Sequence, residues 1–320
     1  MGCGLSGLCI ATQLPELAKE LLLIDKARGP GGRLCTRRFE DKRLDHGAVA
    51  LFAKEEPFKS QLISWHKEGV LLDYYKKDGT QYYCANSGIS ALPKQLAKNF
   101  NTELQQRVIK ISTSNEGLTL HSESGKTYSS KALVLTSPAP QTIELLANSP
   151  DIDTKQIEQD LAGVKYEKCL AALVLANFDF KLEGSQSQDN SGIIFEPNSN
   201  IKKVFDNQLK QRKTGLPALT FHFSEEFSDE HFELPQEKRD AVVNQEVEKF
   251  LGSKDYQIQT HRWRYSTIKN TPFEKPVVID AQHPIILAGE AFSNVGVQAE
   301  AAWNSGLAAV KIVQSILSLT

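Results

Sequence analysis

Gly2-Cys3-Gly4-Leu5-Ser6-Gly7, then the apolar run Leu8 to Leu14, then Leu21-Leu22-Leu23-Ile24-Asp25, is the stretch on which the fold of this 320-residue chain turns. Gly2, Gly4 and Gly7 form a GxGxxG. The apolar run predicts a helix that Pro15 ends or kinks. Leu21 to Asp25 has the composition of a buried parallel strand. Asp25 stands 18 residues after Gly7, close to the spacing at which a carboxylate meets the adenosine ribose. Such glycines allow a tight turn and the close approach of a pyrophosphate to a helix N-terminus. Met1-Gly2 with Ser6 also fits a myristoylation pattern, with Cys3 as a second acylation site. The helix, strand and acid that follow favour a glycine loop packed inside a fold. Only Met1 precedes Gly2, so the strand that normally feeds such a loop is expected to be missing. Its loss would expose neighbouring strand edges and remove support from the phosphate loop.

Working outward, composition narrows the function classes. The chain is 40% hydrophobic and 24% charged, enough for a proper core, so whole-chain disorder is excluded. A net charge of −2 argues against a nucleic-acid partner. No run of about 18 apolar residues predicts a membrane span. The five cysteines are scattered and form no CxxC, which points to a reducing, cytoplasmic setting and no zinc site. The seven histidines form no HExxH, so no metal is expected.

The far end carries a second signal. Pro284 to Ala288 is a short apolar strand running into Gly289-Glu290. Asn294, Gly296 and a helix from about Val297 to Leu317 follow. Ala301, Ala302, Gly306, Ala308 and Ala309 give that helix a small-residue face, which suits plain packing on a sheet as well as a cofactor.

Between the ends lies Asp25-Lys26-Ala27-Arg28-Gly29-Pro30-Gly31-Gly32-Arg33, then Thr36-Arg37-Arg38 and Asp45-His46-Gly47-Ala48. With GxGxxG and the late Gly-Glu, this resembles the FAD-binding pattern of the flavin amine oxidase superfamily, and within it the renalase family, especially its bacterial members. Shorter matches at 86–93, 135–141, 166–171 and 261–265 extend the resemblance over essentially the whole chain. There are departures. Cys3 and Cys35 stand where alanine and serine are usual. Val49-Ala50 replace a glutamine and an aromatic, and Glu290 replaces an aspartate.

The resemblance implies an α/β fold: a Rossmann-type FAD/NAD(P)-binding domain with an inserted α+β substrate domain built on an antiparallel sheet. The expected cofactor-binding parts are 1–58, 94–142 and 278–320, and the substrate parts 59–93 and 143–277. It implies non-covalent FAD, since no cysteine falls within 289–306. Gly2, Gly4, Gly7, Gly32 and Arg33 would serve the pyrophosphate, with Lys26 beside Asp25 at the ribose. Gly289 and Glu290 would lie by the ribityl chain or the pyrophosphate, and Gly296 and Val297 would aim a helix dipole at the flavin. The implied reaction oxidises 2- and 6-dihydro-NAD(P) to NAD(P)+ by hydride transfer to flavin, with O2 reduced to hydrogen peroxide. An aromatic pyridinium is the product, so no general base is required. Alternatives are an FAD-dependent amine oxidase, with a lysine–water bridge to the flavin, and a flavoprotein whose FAD binding is impaired by the missing strand.

The remaining periodicities suit this plan. Ser90 is a plausible N-cap for a helix over 92–100. Val108 to Ile111 and Leu118 to His121 are strands around an Asn115-Glu116-Gly117 turn, and 132–136 and 171–175 are buried strands. A turn-rich surface loop is expected over 184–192, and an amphipathic helix over 236–251. Leu219, Phe221 and Phe223 alternate with Thr220 and His222, and His261, Trp263 and Tyr265 with Arg262 and Arg264. His46, His222, Trp263 and Tyr265 are the candidates for the substrate face, each balanced against a role in the core.

Overall fold

The computed structural model describes residues 1–155, 157–182, 192–196, 198–280 and 282–318. Its first part runs α1 (Leu5–Thr12), β1 (Leu22–Ile24), β2 (Thr36–Phe39), β3 (Lys42–Asp45), α2 (Phe58–Lys67), β4 (Leu72–Lys77), β5 (Thr80–Cys84), α3 (Ala91–Ala97) and β6 (Asn101–Glu103). Then follow β7 (Val108–Ser114), β8 (Gly117–Ser122), β9 (Thr127–Ser130), β10 (Leu133–Leu135), α4 (Ala139–Ala147), α5 (Glu158–Gly163) and β11 (Lys165–Ala176). The last part is β12 (Ile193–Phe195), β13 (Ile201–Asp206), α6 (Asn207–Lys210), β14 (Ala218–Phe223), α7 (Glu225–His231), α8 (Gln236–Leu251), β15 (Tyr256–Asn270), β16 (Val277–Asp280), β17 (Ile285–Leu287) and α9 (Ala299–Ser318).

The largely parallel sheet falls into two pieces, β1–β6 and β10–β17–β16, with β16 antiparallel at the edge. Met1 and Gly2 stand in the gap between them. Gly2 N–H donates to Ile24 O (2.7 Å) on one side. On the other, Thr136 N–H donates to Met1 O (3.0 Å) and Met1 N to Val134 O (2.6 Å). Two residues thus supply the hydrogen bonds that hold the glycine loop between the flanking strands. The helix after the loop begins at Leu5, earlier than the apolar run suggests, and Pro15 opens a short 3-10 turn. Gly306 lets α9 lie on α1, because a Cβ there would fall 2.7 Å from that of Cys9. Ser6 Oγ–H donates to Ala302 O (2.7 Å) across the same contact.

A second, antiparallel sheet has the order β12–β13–β14–β11–β15. One face packs Leu170, Ala172, Val174, Val204, Leu219 and Phe221 against Phe227, Val243 and Val247 of α7 and α8. The other face meets the β2–β3 hairpin, where Phe39 and Leu44 pack on Leu173, Leu175 and Ala218. Burying both faces explains the continuous apolar pattern of β11. The β7–β8–β9 meander stands apart.

Two local expectations differ from the structure. Ser90 has helical dihedrals and no side-chain cap, and its N–H is taken by Thr36 Oγ1 (3.0 Å), so the helix after it is only Ala91–Ala97. The last helix starts at Ala299, because Gln298 turns the chain at φ 53°. The loop expected over 184–192 lies, apart from Gly192, outside the described residues.

Candidate active site

The glycine loop presents a cradle. Gly4 is the N-cap of α1 and offers no side chain to the first-turn N–H groups. A Cβ on Gly4 would meet no atom within 4 Å, whereas one on Gly7 would lie 2.0 Å from Gly2 O, and one on Gly2 2.2 Å from Thr136 Oγ1. Gly7 and Gly2 are therefore demanded by packing, and Gly4 by what approaches from outside. Gly32, at φ 56°, faces the Gly4 Cα. Open donors at a helix N-terminus beneath a bare glycine fit a dinucleotide pyrophosphate.

Asp25 ends β1. Its Oδ2 accepts from Cys3 N–H (2.7 Å) and its Oδ1 from Ala27 N–H (2.8 Å). These amides orient the carboxylate and leave outer lone pairs for ribose hydroxyls. Lys26 lines an adjoining cleft of about 690 Å³ with Arg28, Arg107 and Glu123. Arg33 pairs with Glu290, which is buried behind β17, and its Nη1–H also donates to Ser266 O (3.0 Å). Gly289 takes φ 120° beside Thr136. Gly296 and Val297 lie in the turn before α9, with Val297 half exposed.

His46 joins the two halves of the molecule. It follows β3, and its carbonyl accepts from Trp263 Nε1–H (2.8 Å) and His222 Nε2–H (3.1 Å). Its ring stacks on Trp263 at 5.5 Å and meets His261 edge-on at 4.7 Å. Cys35 Sγ lies 3.5 Å from its Nε2. Burial pushes the His46 ring down to about 3, helped by the nearby charges of His261 and Arg37. Burial, then Arg37, brings His261 to about 4, and burial holds His222 well below its ordinary value. Burial raises the Cys35 thiol to about 12, so the Cys35–His46 contact is one of neutral groups.

The loop carrying His46 is anchored by Asp45, which is fully buried. Its Oδ1 accepts from Thr36 Oγ1–H (2.5 Å) and Ile89 N–H (2.9 Å), and its Oδ2 holds the Lys210 ammonium. Thr220 Oγ1–H donates to Asp45 O (2.9 Å), and Asp45 N–H donates to Asn207 Oδ1 (2.9 Å).

The structure thus brings His46, His222 and Trp263 together. Tyr265 stands apart: it packs edge-on against Tyr166 at 5.2 Å, towards the Arg33 end. His261, Arg37 and Lys203 join the cluster without having been singled out as site residues. Arg37 lies in the Thr36-Arg37-Arg38 match and His261 alternates with Trp263 and Tyr265, whereas Lys203, beside a second lysine at 202, carries no such signal. Among the described residues no group of three or more metal-ligating side chains occurs, and no helix is long and apolar enough to cross a membrane.

Comparison with known proteins places this geometry. Residues 1–62 match an NAD(P)-binding Rossmann-like domain. The chain is 22% identical to renalase of Mus musculus over 92% of each chain. A wild-type putrescine oxidase bound to putrescine superposes with a TM-score of 0.70 at 14% identity, covering 98% of each chain. Residues 62–314 match flavin containing amine oxidoreductase, so this chain, a flavin-dependent oxidoreductase with FAD as its cofactor, belongs to that family.

Proposed function

We propose that this protein oxidises 2- and 6-dihydro isomers of NAD(P) to NAD(P)+. The observation that carries the reading is the charge around His46. Arg37 and Lys203 flank the cluster, and the described residues give neither an ion-pair or hydrogen-bond partner. The carboxylates that come near are spent, Asp45 on Lys210 and Glu167 on Lys202. A positive site without a free carboxylate suits a phosphate-bearing substrate and disfavours an alkylammonium.

The neutral histidines agree with this. Groups held at about 3 and 4 are poor bases near neutral pH, and hydride removal from a dihydronicotinamide asks for none. When bound, FAD would supply the hydride acceptor and the route for electrons to O2 that yields hydrogen peroxide. The chain contributes binding and orientation. His46 and Trp263 form an aromatic wall for a flat ring, and Asp45 with Lys210 fixes the loop that carries it. The FAD is expected to be non-covalent.

The test is an anaerobic visible spectrum of the purified holoenzyme. Flavin absorbance near ~450 nm should bleach on adding 6-dihydro-NAD and barely change with ordinary NADH or simple amines. Bleaching by amines alone would overturn the reading in favour of an amine oxidase.

A further inference from the structure

Lys203 lies in a row that crosses the antiparallel sheet. It pairs with His222 on β14, His222 with Ala171 on β11, and Ala171 with His261 on β15. Residues directly opposite on neighbouring strands share a face and lie about 5 Å apart. Lys203 therefore stands next to His222 on the face that meets His46. His46 spans this row, its carbonyl bonded by His222 and its ring meeting His261.

Its neighbours underline how unusual this lysine is. Lys202, at the bulge beside it, pairs with Glu167 (3.1 Å). Lys210 is matched by Asp45. Among the described residues the Lys203 ammonium has neither a carboxylate nor a hydrogen-bond acceptor. The charged and ionisable groups around it are Lys202, Lys210, His222, Cys169 and Glu167, the last paired with Lys202. Enclosure by protein lowers it to about 8, the direction expected of a desolvated amine. An unpaired enclosed cation costs stability, and such groups cluster where a ligand completes the charge balance.

We propose that Lys203 is the anion anchor of the substrate, holding a phosphate of the dinucleotide beside the His46–His222–His261 cluster. This rests on the dihydronicotinamide reading and names the residue that would give the site its preference for phosphorylated substrates. His222, bonded to the His46 carbonyl, fixes how far the anchored phosphate stands from the ring-binding wall.

The test is calorimetric titration of the holoenzyme with NAD+, nicotinamide riboside and inorganic phosphate, for wild type, Lys203→Met and Lys203→Arg. Lys203→Met should weaken NAD+ binding about 10- to 100-fold and leave nicotinamide riboside unchanged. Lys203→Arg should stay within a few-fold of wild type. Phosphate should compete with NAD+ in wild type and not in Lys203→Met. Lys203→Gln replaces the methionine variant if the latter does not fold. Equal NAD+ affinity in wild type and Lys203→Met overturns the proposal, as does an equal loss for the riboside. Binding of inorganic phosphate together with no measurable binding of NAD+ also overturns it and assigns Lys203 to a free oxyanion. If wild type fails to oxidise the dihydro isomers while NAD+ binding still depends on Lys203, the reaction assigned above falls and the anchor stands.

Discussion

Lys210 Nζ lies 2.5 Å from Asp45 Oδ2 with both side chains fully buried, and this pair ties the loop bearing His46 to the antiparallel sheet. Lys210 also donates to Val49 O (3.0 Å) and lies over the Phe205 ring at 4.8 Å. Removing one partner strands a buried charge. Lys210→Met should lower unfolding free energy by about 3–5 kcal/mol, and the double variant with Asp45→Asn by clearly less. Chemical denaturation of Lys210→Met, Asp45→Asn and the double variant checks this; a double-variant loss equal to the sum of the two single losses would show that the pair is not coupled.

Trp263→Phe retains an aromatic wall but loses the indole N–H that holds the His46 carbonyl. A typical net value of about 0.5–1.5 kcal/mol for such a bond predicts a fall in kcat/KM of up to about tenfold. The melting temperature should change little, since His222 still donates to the same carbonyl. Steady-state kinetics with a dihydronicotinamide measures the effect, and wild-type values would remove Trp263 from the positioning of His46.

Two glycines of one motif should fail in different ways. Gly4→Val enters open space, so it should leave the apoprotein's melting temperature near wild type while flavin content drops sharply. Gly7→Ala drives a Cβ against Gly2 O and should destabilise even the apoprotein, by about 1–3 kcal/mol. The flavin-to-protein absorbance ratio and apoprotein melting curves separate the two. Loss of apoprotein stability in Gly4→Val would contradict the open cradle.

Acid should weaken the fold through the histidines. In the native state His46 titrates at about 3 and His261 at about 4, and in the unfolded chain near the ordinary 6.5. Between these values the unfolded chain binds more protons, so stability rises with pH there. The contribution is complete above about 6.5 and is lost as pH falls towards the native values. Melting temperatures from pH 7.5 to 4.5 should decline, and His46→Asn should flatten the decline. The same shifts predict that kcat shows no histidine inflection between pH 5 and 8.

Several features were legible in the residues because they are local. The glycine loop followed by a strand and an acid, the hairpin at 115–117, and the alternation of Thr220 and His222 against Leu219 and Phe221 all depend on neighbours a few positions away. Element ends were less legible. Ser90 looks like an N-cap, yet its amide is claimed by Thr36, 54 residues earlier, which no local pattern records.

By itself, the sequence determined the dinucleotide loop, the family-like Gly-Gly-Arg segment and the faces of the long strands, since backbone sterics and side-chain periodicity act over a few residues. Tertiary structure alone decided that two residues, Met1 and Gly2, bridge the split sheet, that Asp45 meets Lys210, and that His46 sits against Trp263. It also placed Lys203 beside His222 and moved Tyr265 away to Tyr166. These outcomes depend on which buried faces meet and in what register. That choice is made by the summed burial and hydrogen bonding of the whole molecule, and a period of two residues cannot encode it.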